Sequence, residues 1–419
     1  MDAQHKLKWS LYITLASLFI FLSVTELGHF SSAKKSLFPT QIPETSDKHV
    51  IVFDGGSTGT RIHVFSFVNS SSGLLILKDE YFEEVKPGLS NFANKPKKAA
   101  KSVFHLLEKA KAFVPPNSWD QTPITLKATA GLRLLPSYMS DSILEEVSKT
   151  FHNSPFLCDK NCVSVLDGED EGLYAWFTLN FLLGRLHEPN HSVASLDLGG
   201  GSTQVTFSPV DLDTVVFSPK DYIVKRKVLN KTMSIYTHSY LGLGLMSARL
   251  SILKLSKVKS DHSENESSFT SSCIHPNVNV KWKFDLNEYN VSGRADGQFG
   301  FKYCYDKAVK FLGDSVDQPE ELLKREVYAL SYYYDRAVDL KIVGEKGGLV
   351  TVGVYLEACK SICNQKTLSD PFLCLDCSYI TALLHHGLGF NKNKEIMLVK
   401  EIDGVEASWG LGAAFSMLL

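Results

Sequence analysis

Residues 51–67 read IVFDGGSTGTRIHVFSF, and this stretch decides which fold the chain can adopt. An apolar run ends on Asp54, and Ile62 to Phe67 forms a second apolar run, so two strands are predicted. The glycines between them permit a turn in which Cβ atoms would collide. Consecutive N–H groups in such a turn form a nest that binds anions. We therefore expect a hairpin whose loop binds phosphate, with Asp54 holding a divalent cation directly or through water.

Residues 193–207 repeat this design in the sequence VASLDLGGGSTQVTF. An apolar strand again leads to an aspartate, Asp197, and glycines and hydroxyl residues precede a second strand. One such loop is as often a plain turn as a binding site, but two copies with the same Asp and Ser/Thr placement favour two related lobes that clamp a phosphate. Neither loop continues into the Gly-Lys-Ser/Thr of a Walker loop. Neither has the glycine spacing, or the helix directly after it, of a dinucleotide fold.

The composition sets broad limits on the function. The chain has 419 residues, which is enough for two domains with large cores. Its hydrophobic content of 44% and charged content of 21% are ordinary for a globular protein. The net charge of -2 gives no reason to expect nucleic acid or an anionic membrane surface as a partner. Phosphate selectivity is therefore expected to come from local loops and a metal ion.

The N-terminus has the pattern of a targeting signal. Lys6 and Lys8 precede an apolar run from Leu11 to Val24, which is shorter than the roughly 20 residues that span a bilayer. This pattern is typical of either a secretory signal peptide or an uncleaved signal anchor, and we assign residues 1–30 to it. The polar segment 31–46, which contains two prolines, is expected to be a linker.

Eight cysteines and five Asn-x-Ser/Thr sequons agree with an oxidising compartment. An even number of cysteines after a secretory signal predicts disulfide bonds, although the short spacings among the last four are also compatible with zinc. The cysteines are Cys158, Cys162, Cys273, Cys304, Cys359, Cys363, Cys374 and Cys377. The candidate glycosylation sites are Asn69, Asn190, Asn230, Asn265 and Asn290.

Two further segments carry polar groups that a cleft would use. Residues 122–130, TPITLKATA, are predicted to form a buried strand ending near Thr129, whose hydroxyl either caps a helix or faces the cleft. Residues 163–166 are predicted to form a strand, and Gly172 to begin a helix. Between them lie four carboxylates in five positions, Asp167, Glu169, Asp170 and Glu171. One or two would complement the helix macrodipole, and one pointing between the phosphate loops would take a proton from an attacking water.

Three later stretches are expected to complete the site or the core. Residues 236–250 follow the second loop and are predicted to close one side of the cleft. Residues 324–338, KREVYALSYYYDRAV, are amphipathic and aromatic, and one tyrosine either stacks on a nucleobase or, as is more common, packs in the core. Residues 408–415 are predicted to form a helix that is too short to span a membrane.

These motifs resemble those of the nucleoside triphosphate diphosphohydrolases, or apyrases. The matching motifs, in the family's order, are DGGSTGTR (54–61), ATAGLRLL (128–135), DGEDEG (167–172), DLGGGSTQ (197–204) and SWGLGA (408–413). The chain looks most like the soluble or single-anchor nucleoside-diphosphatase branch, because of THSYLGLGLMSARL (237–250), SYYYDRA (331–337) and PFLCLDCSYITALL (371–384). One position departs from the pattern, because the family commonly has alanine where this chain has Gly55.

The resemblance implies an α/β fold of two RNase H-like lobes, of the actin/Hsp70/sugar-kinase type, with the active site in the cleft between them. Residues 47–165, completed by 401–419, would form lobe I, and residues 166–400 would form lobe II. The resemblance also implies disulfide bonds between Cys273 and Cys304 and between Cys363 and Cys374. The remaining cysteines would be left for further bridges.

The resemblance further implies a role for each motif residue. Glu171 matches the base that polarises the water attacking the terminal phosphorus, and Asp54 and Asp197 match residues that hold Ca²⁺ or Mg²⁺ through water. Thr129 and Gln204 would help to place the attacking water. The phosphate-binding residues would be Gly56, Ser57, Thr58, Gly59, Thr60, Gly200, Gly201, Ser202 and Thr203.

The reaction implied is divalent-cation-dependent hydrolysis of nucleoside diphosphates, with UDP and GDP preferred. The enzyme would act in the lumen of the endoplasmic reticulum or Golgi, anchored by its N-terminus, or outside the cell after secretion. The alternatives are a broader apyrase that also accepts triphosphates, a sugar-kinase-like phosphotransferase, and a nucleotide-binding protein without turnover. Glu171 and the secretory signal favour water as the phosphate acceptor.

Overall fold

The computed structural model describes residues 47–70, 75–186, 189–228, 231–256, 267–284, 286–365 and 370–418. The predicted N-terminal signal, the linker, and the sequons at Asn230 and Asn265 lie outside these residues. The sequon residues Asn69, Asn190 and Asn290 are exposed to solvent. Within the described ranges, no helix is both long enough and apolar enough to cross a membrane.

The strands of the described residues form two large sheets and two small ones. In chain order they are β1 (Lys48–Gly55), β2 (Thr60–Asn69), β3 (Leu75–Val85), β4 (Ile124–Ala128), β5 (Val163–Val165), β6 (Ala194–Leu198), β7 (Ser202–Phe207), β8 (Ile223–Val228), β9 (Lys231–Leu241), β10 (Ser268–Ser271), β11 (Asn279–Phe284), β12 (Asn287–Gly293), β13 (Val327–Ser331), β14 (Gly348–Thr351), β15 (Glu395–Leu398), β16 (Glu401–Ile402) and β17 (Val405–Glu406). The small sheets are β10-β12-β11 and the hairpin β16-β17.

The two large sheets share one strand order. The first runs β3-β2-β1-β4-β5, with β1 to β3 antiparallel and with β4 and β5 parallel to β1. The second runs β14-β15-β13-β6-β7-β9-β8, in which β9-β7-β6-β13-β15 repeats the order and directions of the first. This repeat confirms the predicted α/β fold of two RNase H-like lobes. The lobe boundaries at residues 165 and 400 stay a prediction.

The helices of the described residues cover both sheets. In chain order they are α1 (Pro96–Phe113), α2 (Ala130–Arg133), α3 (Ser137–His152), α4 (Gly168–Leu182), α5 (Leu212–Phe217), α6 (Leu245–Lys254), α7 (Phe301–Leu312), α8 (Glu320–Lys324), α9 (Tyr332–Asp339), α10 (Val352–Cys363), α11 (Leu373–Ala382) and α12 (Gly410–Leu418). Short 3₁₀ turns occur at Leu89–Phe92, Pro116–Gln121, Pro189–His191 and Lys220–Tyr222, and a π-turn at Leu383–Gly387 follows α11.

Two predicted boundaries are wrong for identifiable reasons. Helix α4 begins at Gly168 and not at Gly172, because the Asp167 carboxylate accepts the backbone N–H of Glu169 and so caps the helix four residues earlier. Residues 324–338 do not form one amphipathic element. Residues 327–331 pair with β6 and β15 as a buried strand, and α9 begins directly afterwards at Tyr332.

Strand β1 explains why its sequence is apolar without alternation. Val50 to Phe53 are all fully buried, since both faces of the sheet are covered. Ile51 and Phe53 pack against the cluster that contains α1 and α3. Val50 and Val52 pack against α12 on the other face. Asp54, near the end of this strand, therefore extends from a strand that is buried on both faces.

Helices α4 and α12 pack against each other at the centre of the molecule. Phe415 of α12 contacts Phe67 of β2, with ring centroids 5.1 Å apart, and Phe181 of α4, with centroids 4.6 Å apart. At Gly412 the two helices approach so closely that a Cβ atom would lie 2.8 Å from the Cα of Tyr174. The C-terminal helix thus joins the first sheet to the helix that carries the four carboxylates.

A buried ionic cluster attaches the β16-β17 hairpin to the first sheet. The His63 ring lies between the carboxylates of Glu80, at 2.7 Å, and Glu406, at 3.4 Å. The Glu80 carboxylate also accepts the backbone N–H of Glu406 at 2.9 Å. The two glutamates raise the pKa of His63 against the opposing effect of burial.

All eight cysteines are paired in four disulfide bonds. The pairs are Cys158 with Cys162, Cys273 with Cys304, Cys359 with Cys377, and Cys363 with Cys374. Two of these bonds, among the cysteines from 359 to 377, link α10 to α11. These four cysteines, whose spacing was also compatible with zinc, therefore form two disulfide bonds between neighbouring helices.

Candidate active site

The two Gly-rich loops, residues 56–59 (loop 1) and 199–201 (loop 2), face one cavity of about 500 Å³. Most of the predicted site residues line this cavity: Asp54, Gly56, Ser57, Thr58, Thr129, Glu171, Asp197, Gly200, Gly201 and Ser202. Four predicted residues do not line it, namely Gly59, Thr60, Thr203 and Gln204. Two chain segments more than 140 residues apart in sequence are therefore brought to one site.

Loop 1 is packed tightly against its neighbours. A Cβ atom on Gly131 would lie 2.7 Å from the Cα of Ser57, and one on Gly200 would collide with the Ser57 hydroxyl. Backbone atoms can approach this closely only at glycine. Loop 1 is thus held between α2 and loop 2, and its backbone has little freedom to move.

Substituting Gly131 by alanine is expected to lower kcat/KM by about 10- to 100-fold, because a displacement of about 1 Å at a reacting centre has an effect of this size. Gly344→Ala is the matched control, since Gly344 lies outside the cavity lining and a Cβ atom there meets no atom within 4 Å. The measurement is steady-state phosphate release by both variants, with melting temperatures determined in parallel. Equal activity of the two variants would contradict the idea that loop 1 must keep its position.

Loop 2 is held from behind by the start of α6. The backbone N–H of Leu245 donates to the Gly199 carbonyl at 2.9 Å, and that of Met246 donates to the Gly200 carbonyl at 2.9 Å. None of the residues 236–250 lines the cavity. The prediction that this stretch closes one side of the cleft is therefore wrong: it satisfies the loop's carbonyl groups and leaves the loop's cavity face clear.

Among the four clustered carboxylates, only Glu171 lines the cavity. Asp167 caps α4, and Asp170 is exposed near Arg226, at 3.6 Å. Glu169 lies 3.7 Å from His238 and hydrogen-bonds to Asp167, a contact that raises the pKa of Glu169 to about 7. Because side chains on a helix are spaced by about 100°, four neighbouring carboxylates point in different directions, and packing of α4 selects the one that faces the site.

Two contacts fix the orientation of α4. The indole N–H of Trp176 donates to the Val193 carbonyl at 2.9 Å, and the Asn180 side chain accepts the Val193 backbone N–H at 2.8 Å. Both side chains are fully buried. Since Val193 immediately precedes β6, these bonds tie the helix that carries Glu171 to the strand that carries Asp197.

Glu171 has the electrostatic surroundings of a proton acceptor. Burial raises the pKa of its carboxyl to about 8, while the Arg133 guanidinium acts in the opposite direction. The nearby Asp197 and Asp54 carboxylates add to the increase of its pKa. A carboxylate with a raised pKa binds a proton from water more readily than an ordinary glutamate does.

Asp54 and Asp197 occupy equivalent positions in the two sheets. Each is the penultimate residue of a central strand, β1 or β6. Across its hairpin, Asp54 lies opposite Arg61, and Asp197 lies opposite Gln204. Both carboxyls are buried, and burial raises the pKa of each. One oxygen of each, Oδ1, has no hydrogen-bond partner among the described residues.

These two carboxylates fit a divalent cation. An unpartnered buried carboxylate oxygen is unfavourable, and a cation or its water ligands would satisfy it. Carboxylates and water are the ligands that Ca²⁺ and Mg²⁺ prefer. The other oxygen of Asp54 is held by the Arg61 guanidinium at 2.8 Å, so the free oxygen keeps a defined direction.

Thr129 and Gln204, the residues predicted to place water, differ in their positions. Thr129 lines the cavity at the start of α2, and its side chain makes no capping hydrogen bond to the helix. Gln204 lies outside the lining and donates to the hydroxyls of Ser202, at 2.7 Å, and Ser239, at 2.9 Å. Gln204 can therefore act on the cavity only through Ser202.

Sequence reasoning missed several cavity residues. Arg61 was quoted in a motif without a role, yet it contacts both Asp54 and Glu84. The far part of the cavity includes Tyr332, Tyr334, Asp335, Arg336, Lys400, Glu406 and Trp409. Tyr333, from the same tyrosine cluster, is fully buried and outside the lining. All three tyrosines lie in the first turn of α9, where successive side chains point in different directions, and no pattern in the sequence indicated that this helix begins at residue 332.

The two Gly-rich loops, the two aspartates and the buried Glu171 carboxylate thus line one cavity to which both large sheets contribute. The chain belongs to the GDA1/CD39 (nucleoside phosphatase) family, whose profile matches residues 40–418. It is therefore an enzyme of the class that the sequence motifs predicted, and this family assignment is confirmed.

The chain is also similar to individual known proteins. The chain is 43% identical over 389 residues to nucleoside diphosphate phosphatase ENTPD5 of Homo sapiens, covering 91% of this chain and 90% of that protein. It is 43% identical over 373 residues to ectonucleoside triphosphate diphosphohydrolase 6 of Mus musculus, covering 87% and 80%. A crystal structure of nucleoside triphosphate hydrolases from Neospora caninum matches with a TM-score of 0.65 at 16% identity, covering 88% of this chain and 92% of that one, a likeness of fold alone.

Proposed function

We propose that this enzyme hydrolyses the terminal phosphate of nucleoside diphosphates and releases a nucleoside monophosphate and phosphate. The observation that carries the proposal is the position of Glu171, the single member of its carboxylate cluster that reaches a cavity lined by both Gly-rich loops. Its relative of 43% identity is named a nucleoside diphosphate phosphatase, which supports diphosphates as substrates. UDP and GDP are the proposed preferred substrates.

Glu171 acts as the general base in this proposal. A water oxygen attacks the terminal phosphorus, its proton passes to the Glu171 carboxylate, and the bridging P–O bond breaks toward the nucleoside monophosphate. The raised pKa of Glu171 supports this role, since the carboxylate can accept and later release a proton near neutral pH. Thr129, at the edge of the same cavity, is the proposed second contact to the attacking water.

Asp54 and Asp197 are the proposed residues that hold Ca²⁺ or Mg²⁺, directly or through water. When bound, the cation would supply positive charge that stabilises the phosphate oxygens during transfer. Their two unpartnered carboxylate oxygens support this assignment.

The loops are proposed to hold the phosphates through backbone N–H groups and hydroxyls. Ser57, Thr58 and Ser202 offer hydroxyls to the cavity, and Gly56, Gly200 and Gly201 permit close approach of the backbone. The Ser202 hydroxyl oxygen accepts hydrogen bonds from Gln204 and Arg133, which leaves its own hydrogen to donate toward a phosphate oxygen. Thr60 and Thr203 lie on β2 and β7, the strands that follow loop 1 and loop 2.

The proposed compartment is the lumen of the secretory pathway, in the endoplasmic reticulum or Golgi, or the extracellular space. Four disulfide bonds among the described residues support an oxidising environment. The exposed sequons at Asn69, Asn190 and Asn290 are compatible with glycosylation there. An N-terminal signal or anchor, within residues 1–30, is the proposed targeting element.

The test is phosphate release from UDP, GDP and ADP and from the matching triphosphates, with and without Ca²⁺ or Mg²⁺. We expect metal-dependent release that is faster from diphosphates than from triphosphates. Equal rates on both would move the enzyme to the broad apyrase class. A purified enzyme that binds nucleotide but releases no phosphate with either metal would overturn the proposal.

A further inference from the structure

Arg133 links three segments behind the active site. It is the last residue of α2, which follows the first sheet's strand β4. One guanidinium nitrogen, Nη2, donates to the Glu171 carboxylate on α4 and to the Ser202 hydroxyl on β7, the latter at 3.3 Å. Arg133 therefore extends from the helix after β4 of the first sheet to α4 and to a strand of the second sheet.

Arg133 lies behind Glu171 and not in the cavity. Its side chain is only 15% exposed and it does not line the cavity, whereas Glu171 and Ser202 do. A Cβ atom on Gly168 would collide with the Arg133 guanidinium, so the glycine that begins α4 leaves the space it needs. A substrate in the cavity would therefore meet Glu171 first, and Arg133 could act on the reaction only through its partners.

The cations that line the cavity act on other carboxylates. Among the described residues, Arg61 pairs with Asp54 and Glu84, Lys86 with Glu84, and Arg336 with Asp339 and Asp370. Lys400 acts on Asp335 in the far part of the cavity. Arg133 is the cation that contacts Glu171. The other charged groups that act on Glu171 are Asp54 and Asp197, and its own helix adds Asp167, Glu169 and Asp170, so its surroundings are otherwise anionic.

This arrangement has two consequences for a base. The contact holds one carboxylate oxygen, Oε2, and so restricts the rotation of the carboxylate and the direction in which it accepts a proton. The guanidinium charge also favours the ionised carboxylate against burial and against the neighbouring aspartates. Without it, Glu171 would rotate more freely and would be protonated over a wider pH range.

We propose that Arg133 is a positioning residue for the hydrolysis, which orients Glu171 and keeps it in the ionised form that can accept a proton from water. The inference rests on the proposed function of Glu171 as base. In this proposal Arg133 touches neither substrate nor metal, and it acts from α2 on the carboxylate of α4.

The experiment compares Arg133→Gln and Arg133→Lys with the wild-type enzyme in kcat, KM and pH profile, using UDP and the metal that supports release. Arg133→Gln is expected to lower kcat by about 10- to 100-fold with KM unchanged within about twofold, the pattern for a misplaced reacting group. The acid limb of its kcat profile should move to higher pH, because the carboxyl loses the cation that lowers its pKa. Arg133→Lys retains the charge and should move the limb back toward the wild-type position.

Arg185→Gln is the matched control, since Arg185 also pairs with a glutamate, Glu326, but outside the cavity lining. Its kcat and pH profile should remain those of the wild type. Melting temperatures identify any variant that fails to fold. If Arg133→Gln does not fold, Arg133→Lys carries the test, because the ammonium on its flexible stem lacks the rigid guanidinium plane that orients Glu171 and should still lower kcat at unchanged KM.

A double variant separates this inference from the function on which it rests. If Arg133 acts through Glu171, Arg133→Gln combined with Glu171→Gln should be no slower than Glu171→Gln alone, within about threefold. Additive losses, a raised KM at unchanged kcat, or an unshifted acid limb would overturn the inference and leave the base assignment intact. Wild-type activity in Glu171→Gln alone would instead overturn the base assignment itself.

Discussion

Replacing Glu171 by glutamine is expected to lower kcat by about 10³-fold while KM changes little, within the range of about 10²- to 10⁴-fold that general bases contribute. Glutamine has the same shape and can still accept the Arg133 hydrogen bond, but its amide takes no proton from water. The measurement is phosphate release from UDP under saturating metal. Because substrate contacts are unchanged, the loss should lie in the chemical step.

Glu169→Gln is the control for this substitution. Glu169 belongs to the same acidic cluster two residues earlier, yet its side chain lies beside His238 and outside the cavity lining. This variant should keep the wild-type kcat within about twofold, as expected for a change away from the reacting atoms. A comparable loss in both variants would mean that the cluster acts as a whole, and an active Glu171→Gln enzyme would exclude Glu171 as the base.

The pH dependence of kcat tests the role of Glu171 independently. Burial raises the pKa of Glu171 to about 8 in the metal-free protein, and only the ionised form can accept a proton. kcat should therefore increase as the pH rises through the pKa of this carboxyl, and a bound cation beside Asp54 and Asp197 should move that midpoint to lower pH. The residual activity of Glu171→Gln should lack this limb.

The second large effect is expected from Asp197→Asn, which should lower kcat/KM by roughly two to three orders of magnitude, since a catalytic cation supplies several kcal/mol of transition-state stabilisation. The asparagine keeps the size of the buried side chain but removes the charge that a cation requires. Asp54→Asn should behave similarly, because Asp54 holds the equivalent strand position in the first sheet.

A binding measurement distinguishes loss of metal from loss of chemistry. In the wild-type enzyme, adding Ca²⁺ or Mg²⁺ at about 100 times its Kd should stabilise the fold by about 2.7 kcal/mol, seen as a higher melting temperature. Asp197→Asn should lose most of this increase. Asp339→Asn is the control, because Asp339 also lines the cavity but is paired with Arg336 at 2.8 Å. If Asp197→Asn kept the full metal-induced increase, Asp197 would not be a metal-binding residue.

The local pattern of the sequence was sufficient for the parts of the site that depend on neighbouring residues. The two Gly-rich hairpins, with Asp54 and Asp197 near the ends of central strands, follow from apolar runs interrupted by glycine. These are short-range features, because a strand and its turn are specified by residues that are adjacent in the chain. Their repetition also predicted the paired lobes.

Other features required contacts between distant segments. The sequence could not indicate which of four carboxylates faces the cavity, since Trp176 and Asn180 orient α4 through bonds to Val193. It missed the support of loop 2 by α6, which depends on backbone N–H groups that carry no residue signature. The start of α4 was also predicted four residues too late, because Asp167 was interpreted as part of an acidic cluster and not as the residue that caps the helix.

The amino-acid sequence by itself thus determined the chemical groups available to this enzyme: two Gly-rich loops with hydroxyl residues, two aspartates, and a set of carboxylates at the start of one helix. Only the tertiary structure decided which of them meet. Loop 1 and loop 2 converge because two separate sheets pack around α4 and α12, and Arg133 reaches Glu171 across a sequence separation of 38 residues. The physical reason is that strand and turn preferences act over a few residues, whereas the direction of a side chain toward a cavity is set by the packing of whole elements.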